Sequence, residues 1–101
     1  MIICINDRFS PEARELYEKY GVVTPYLDAT YEIREVVITR VGVGLLLEEL
    51  VNPKISIGEE ENGFMVEVSW NIRRFRTLDN KEVDISNWKK EEPNSIHVDL
   101  V

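Results

Sequence analysis

The run of residues in this sequence best suited to chemistry lies at 70–76, where three arginines stand beside two aromatic residues. Guanidinium groups bind phosphate oxygens in pairs, and aromatic rings stack on bases. The candidate ligand-binding residues are therefore Trp70, Arg73, Arg74 and Arg76. The alternative is that the three arginines pair with surface carboxylates while Trp70 and Phe75 fill the core, since exposed ion pairs of this kind are common.

Residues for catalysis and for metal binding are scarce. The chain has one histidine, His97, and one cysteine, Cys4. The sequence therefore contains neither a nucleophile–base pair nor the Cys and His spacing of a metal site. The pair Gly42 and Gly44 lacks the third glycine of a phosphate-binding loop. We therefore predict that the protein is not an enzyme, with no catalytic residue, no metal ligand and no cofactor.

Composition narrows the class of partner. A chain of 101 residues fits one domain, and its formal net charge of −7 repels phosphate backbones, so nucleic acid is not an expected partner. No stretch approaches the ~20 apolar residues of a membrane span, so no membrane partner is expected either. Cys4 lies in the apolar run at 1–5, which predicts a buried thiol. That run is too short for the core of a signal peptide, so a cytoplasmic protein is expected.

The clearest secondary-structure signal is a helix over residues 11–20. Ser10 can cap its first N–H groups, Pro11 suits its first position, and Gly21 can end it in a left-handed conformation. Apolar residues recur along it at the helical spacing i, i+3, i+4, i+7, namely Ala13, Leu16, Tyr17 and Tyr20.

Short strands are predicted on both sides of this helix from β-branched and aromatic residues. They cover residues 2–6, 30–39, 45–51 and 64–70, with turns at 71–75 and 78–81. A change of phase at Glu35-Val36 indicates a bulge or a strand buried on both faces near its end, and Gly42 and Gly44 indicate a turn. This order predicts an α+β fold, either a small twisted antiparallel sheet or an open β-barrel, with one helix inserted after the first strand.

The C-terminal residues differ in composition from the rest. We predict one β-rich domain over residues 1–88, followed by a polar linker and a strand-like tail over 89–101. In the tail, Ile96, Val98 and Leu100 alternate with His97 and Asp99. This pattern predicts a strand that pairs with a sheet edge of the same chain or of a second copy, which would make a homo-oligomer. The alternative is an accidental pattern on a mobile terminus.

Three short motifs resemble a group of small proteins encoded by phages and prophages, with a Src-homology-type small β-barrel. They are Cys4-Ile5-Asn6-Asp7, Tyr31-Glu32-Ile33-Arg34-Glu35-Val36 and Arg74-Phe75. The resemblance covers roughly residues 2–78. It implies a setting rather than an activity: the cytoplasm of an infected bacterium, where several unrelated small phage proteins block host defences by binding a protein or sequestering a nucleotide signal.

Two functions follow as hypotheses. The first is a phage-type accessory protein that binds a host protein and could inhibit a bacterial defence system. The second is an oligomeric small-molecule binder that sequesters a phosphorylated nucleotide, with Arg73, Arg74 or Arg76 at its pocket.

Overall fold

A computed structural model describes residues 1–57 and 64–86 of the chain. The predicted linker and tail at 89–101, including His97, lie outside these described residues. Within the described ranges, no helix has the length and apolar character needed to cross a membrane.

The described part contains one α-helix and eight short strands. They are β1 (Ile2–Cys4), α1 (Pro11–Tyr20), β2 (Thr30–Tyr31), β3 (Ile33–Thr39), β4 (Gly42–Leu47), β5 (Ile55–Ile57), β6 (Phe64–Val66), β7 (Trp70–Asn71) and β8 (Phe75–Thr77), with a 3-10 helix at Ile72–Arg74. The strands pair in the orders β2-β1-β8, β3-β4-β7 and β5-β6, all antiparallel. The predicted α+β class, with a helix after the first strand, is confirmed, and the strands that are described do not close into a barrel.

The helix begins and ends where the sequence predicts. The Ala13 N–H donates to Ser10 Oγ at 3.1 Å, and Pro11 occupies the first helical position. Gly21 has φ +70°, and its N–H donates to Glu18 O at 3.3 Å. The left-handed cap thus uses the one residue type that adopts this conformation without steric cost.

The hairpin of β3 and β4 has its turn at a different position from the one predicted. Its turn lies at Arg40 and Val41, whereas Gly42 begins β4 and Gly44 pairs with Val37 and Asn71 in the middle of the sheet. The bulge is confirmed, because the pairing register shifts between Ile33 and Glu35.

The predicted strand at 64–70 is wrong as one continuous element. β6 ends at Val66 and β7 begins at Trp70, and residues 67–69 lie between the two strands. Glu67 Oε2 accepts hydrogen bonds from Arg34 Nη2 at 2.6 Å and from the Asn52 N–H at 3.0 Å. These contacts draw the chain out of strand geometry, so Val68 and its neighbour Ser69 are both buried.

The core combines residues from the helix and from the two three-stranded sheets. Its largest fully buried members are Tyr17, Leu45, Leu47, Trp70 and Phe75. The rings of Phe9, Tyr17 and Trp70 meet edge to face, with centroids 5.6 to 5.7 Å apart. Such contacts add to the stability gained from burial. This aromatic cluster lies directly beside the segment that forms the candidate site.

Candidate functional site

The structure separates the four predicted ligand-binding residues. Trp70 and Arg74 are buried, with 1% and 2% of their surface exposed, whereas Arg73 is exposed and Arg76 is half-buried. The cause is local. The Asn71 side chain accepts from the Arg73 N–H at 2.9 Å and starts the 3-10 helix, in which successive side chains point about 120° apart.

Two of the four predicted ligand-binding residues, Trp70 and Arg74, are therefore not accessible to a ligand. Trp70 belongs to the aromatic cluster and offers no ring face for a base, and Arg74 lies beneath the surface. The alternative drawn from the sequence is right that Trp70 and Phe75 fill the core. The ion pairs it expected are not seen: within residues 1–57 and 64–86, no carboxylate oxygen lies within 4 Å of Arg73, Arg74 or Arg76.

Arg74 holds the N-terminal segment in place. Its Nη1 donates to Arg8 O at 2.8 Å, to Asn6 O at 3.2 Å and to Asn6 Oδ1 at 3.4 Å. Its guanidinium carbon stands 4.0 Å from the centre of the Phe9 ring, a cation–π contact. Nε and Nη2 are also buried and have no hydrogen-bond partner in the described structure. Arg74 is therefore a buried cation stabilised by carbonyl dipoles and a ring face, with no carboxylate to balance its charge among the described residues.

The segment that Arg74 contacts, residues 6–8, is here called the Asn6–Arg8 loop. The Arg8 N–H donates to Asn6 Oδ1 at 2.9 Å, and Arg14 Nη2 donates to Asp7 O at 3.3 Å. Asp7 Oδ2 accepts from the Leu27 N–H at 3.3 Å. The loop is thus fastened from the helix, from the 3-10 helix and from the connector before β2.

Two pockets flank Arg73. The first, of about 490 Å³, is lined by Ile5, Asn6, Asp7, Arg8, Leu27 and Arg73. The second, also about 490 Å³, is lined by Ile72, Arg73, Phe75, Arg76, Glu82 and Val83. Arg73 belongs to both, so it stands on the ridge between them, and only the second pocket brings two of the predicted arginines together.

Exposed apolar side chains lie in the first pocket or next to it in the chain, and none of them is among the ligand-binding residues predicted from the sequence. Ile5 is 41%, Tyr26 63% and Leu27 50% exposed. Tyr26 and Leu27 lie in a turn whose Ala29 N–H donates to Tyr26 O at 3.1 Å, with Asp28 at φ +67°. The only sequence signal is their position in the connector after Pro25, where two large apolar residues have no strand to join.

A buried phenol holds this turn. Tyr31 Oη accepts from the Tyr26 N–H at 2.9 Å, and burial raises the pKa of Tyr31 while this hydrogen bond lowers it in part. Tyr26 is therefore fixed at its backbone while its side chain faces solvent. A fixed, exposed aromatic residue loses little conformational freedom when it binds a partner.

Positive charge gathers at the Asn6–Arg8 loop although the protein as a whole is acidic. Four of the seven arginines contribute. Arg8 belongs to the loop, Arg14 and Arg74 donate to its carbonyl groups, and Arg73 lines the same pocket. Asp7 in the loop and Asp28 beside it oppose this charge, so the four arginines outnumber the two carboxylates and the surface around the loop is locally positive in a chain of net charge −7.

The remaining reactive residue is Cys4, whose predicted burial is confirmed. Its thiol lies 3.5 Å from Asn6 O, and burial raises the pKa of the Cys4 thiol. A raised pKa disfavours the nucleophilic thiolate. Among the described residues, no group of three or more His, Cys, Asp or Glu side chains is placed to hold a metal ion.

Comparison with known proteins gives no relative for this chain: no protein family, no curated protein and no solved structure matches it. The resemblance to small phage proteins therefore stays a prediction. Function must therefore be inferred from the site itself.

Proposed function

We propose that this protein is a non-enzymatic binding module that engages a partner protein through Ile5, Arg8, Tyr26, Leu27 and Arg73, here called the Tyr26 surface. The observation that supports it is a pocket in which the exposed side chains of Ile5 and Leu27 lie beside two arginines that have no ion pair in the described structure, with the exposed Tyr26 next to Leu27 in the chain. Tyrosine and arginine are enriched among the residues that dominate binding energy in protein interfaces.

The rigidity of the surface supports the same proposal. The Asn6–Arg8 loop and the Tyr26 turn are each held by hydrogen bonds to buried groups, Arg74 and Tyr31 respectively. A preformed surface pays less entropy on binding than one that must be ordered. Exposed apolar residues that are grouped and held in this way are typical of interaction sites.

The resemblance to phage-encoded proteins extends this proposal to the setting. In that setting the partner is a protein of the bacterial host, bound in its cytoplasm, and the consequence of binding is inhibition of a defence system. The acidic surface elsewhere favours solubility and opposes association with nucleic acid.

The test is differential capture of a partner. The tagged protein, a Tyr26→Ala/Leu27→Ala variant and a Val41→Ala control are passed through a bacterial lysate, and the bound proteins are identified by mass spectrometry. Val41 is 81% exposed on the β3–β4 turn and lines neither pocket, so this control removes an exposed apolar side chain outside the Tyr26 surface. We expect a partner that the parent and the control capture and the double variant does not. A partner retained by the double variant would place the interface elsewhere.

A phosphorylated nucleotide remains the second candidate, because Arg73 and Arg76 line one pocket and neither has a carboxylate within 4 Å among the described residues. Two guanidinium groups at one pocket could bind a phosphate. Glu82 in the same lining opposes this. Mass spectrometry of the protein purified from cells would reveal a carried nucleotide, and Arg76→Gln should release it. Protein free of nucleotide that also fails to bind added nucleotides would remove this candidate.

A further inference from the structure

The first pocket has a mixed lining of charged and apolar residues. Arg8 and Arg73 supply positive charge, whereas Ile5 and Leu27 supply aliphatic surface. Neither guanidinium makes a hydrogen bond or an ion pair within the described part of the chain. Such a pocket is open to a group that is anionic at one end and apolar at the other.

The charges behind the pocket reinforce this preference. Arg74 lies buried under the loop, where its guanidinium contacts carbonyl groups. Among the described residues, no carboxylate lies within 4 Å to balance its positive charge. Coulomb interactions are stronger near low-dielectric protein than in bulk water. The buried cation therefore adds to the positive potential at the pocket without being open to water itself.

The apolar part of the wall limits which anion fits. Asp7 also lines the pocket, where its carboxylate accepts the Leu27 N–H and lowers the net positive charge. Attraction to the arginines and repulsion from Asp7 both double for a doubly charged phosphate, so charge alone does not decide between phosphate and a carboxylate. Ile5 and Leu27 suit an aliphatic stem, which inorganic phosphate lacks.

We infer that the first pocket accepts an acidic side chain of the partner protein, whose carboxylate is bound by Arg8 and Arg73 while its aliphatic stem lies against Ile5 and Leu27. This inference rests on the proposed function and specifies the chemistry of the partner: a segment that carries an Asp or Glu beside apolar residues. Because the whole chain is negatively charged, long-range repulsion opposes the approach of an acidic partner. The attraction therefore acts only close to the pocket.

The test uses sodium pentanoate as the probe, with pentanamide as its neutral match and inorganic phosphate as the competing anion. Each is titrated at constant ionic strength into labelled protein, and NMR follows the Arg8 and Leu27 backbone amides and the Arg73 Nε–H. We expect saturable shifts with pentanoate and binding about tenfold weaker with pentanamide, the cost of losing one charge-assisted interaction. The variant R73Q should lose about the same factor, and R40Q, an exposed arginine of the β3–β4 turn, should bind as the parent does.

Three results would overturn the inference. Equal binding of pentanoate and pentanamide would show an apolar pocket without charge recognition. Tighter binding of phosphate than of pentanoate would show a phosphate site. A captured partner that depends on Tyr26 and Leu27 but binds R73Q as well as the parent would leave the proposed function standing and remove only the acidic contact.

Discussion

Replacing Arg74 by methionine tests whether a buried cation without a carboxylate stabilises this fold or costs it stability. Two of its hydrogen bonds, to Arg8 O at 2.8 Å and Asn6 O at 3.2 Å, come from a charged donor. Each contributes about 1.5–3 kcal/mol. The contact with Phe9 adds about 2 kcal/mol when desolvated. Together the favourable part is about 5–8 kcal/mol.

The opposing part is the desolvation of the guanidinium, which costs several kcal/mol for a buried ion. Methionine removes that cost, keeps most of the aliphatic volume and can contact the Phe9 ring through its sulfur. The freed carbonyls belong to the exposed residues Asn6 and Arg8, so water can replace part of the loss. The two parts nearly cancel, and we expect Arg74→Met to lower the free energy of unfolding by about 1–3 kcal/mol.

Urea denaturation followed by tryptophan fluorescence measures this change, because Trp70 lies in the adjoining aromatic cluster. With a slope of about 1–2 kcal/mol per molar urea, the midpoint should fall by roughly 1 M. Arg40→Met is the control, and its effect should stay within about 0.5 kcal/mol. A variant of Arg74 as stable as the parent, or more stable, would refute the reasoning and show that Arg14 and the Leu27 N–H suffice to hold the loop.

Three further predictions concern stability. Val68→Ala should lower the free energy of unfolding in urea by about 2–3 kcal/mol because Val68 is fully buried. Val66→Ala, at a half-buried position, should lower it by about 1 kcal/mol. Equal losses would contradict the break between β6 and β7. Burial raises the pKa of Cys4 above 9.0 and of Tyr31 above 10.0, so both groups favour the protonated folded state. The stability they contribute is complete below pH 9 and falls as the pH rises further, and a midpoint unchanged between pH 8 and 10.5 would contradict this. Gly21→Ala should cost about 1 kcal/mol by thermal denaturation, from its φ of +70° alone, because nothing lies within 4 Å of the added methyl group; no loss would show that the helix end can rearrange.

The sequence predicts the helix and the α+β class well because their causes are local. Ser10, Pro11 and Gly21 act within one turn of the residues they cap. The break after Val66 could not be predicted in the same way. It depends on Glu67 meeting Arg34, a residue that only the folded chain brings near.

The candidate site shows the same limit. A run of arginines predicts positive charge, but whether a given guanidinium faces water depends on distant partners. Arg74 is buried because the carbonyls of residues 6 and 8 and the ring of Phe9 converge on it. Tyr26 and Leu27 carry no periodic pattern, so their exposure follows only from the turn that the Tyr31 hydroxyl fixes.

The pairing of β1 with β8 has a consequence for how the protein forms in the cell. Ile2, Ile3 and Cys4 pair with Thr77, Arg76 and Phe75, so the first strand finds its second neighbour only near the end of the described chain. At a synthesis rate of about 5–20 residues per second, roughly 4–15 s separate the making of these two strands. During that interval the apolar residues of β1 and the ring of Phe9 have no complete core to enter. Folding must therefore wait until most of the chain has been made, and a nascent chain stopped before Phe75 should be open to proteases and chaperones.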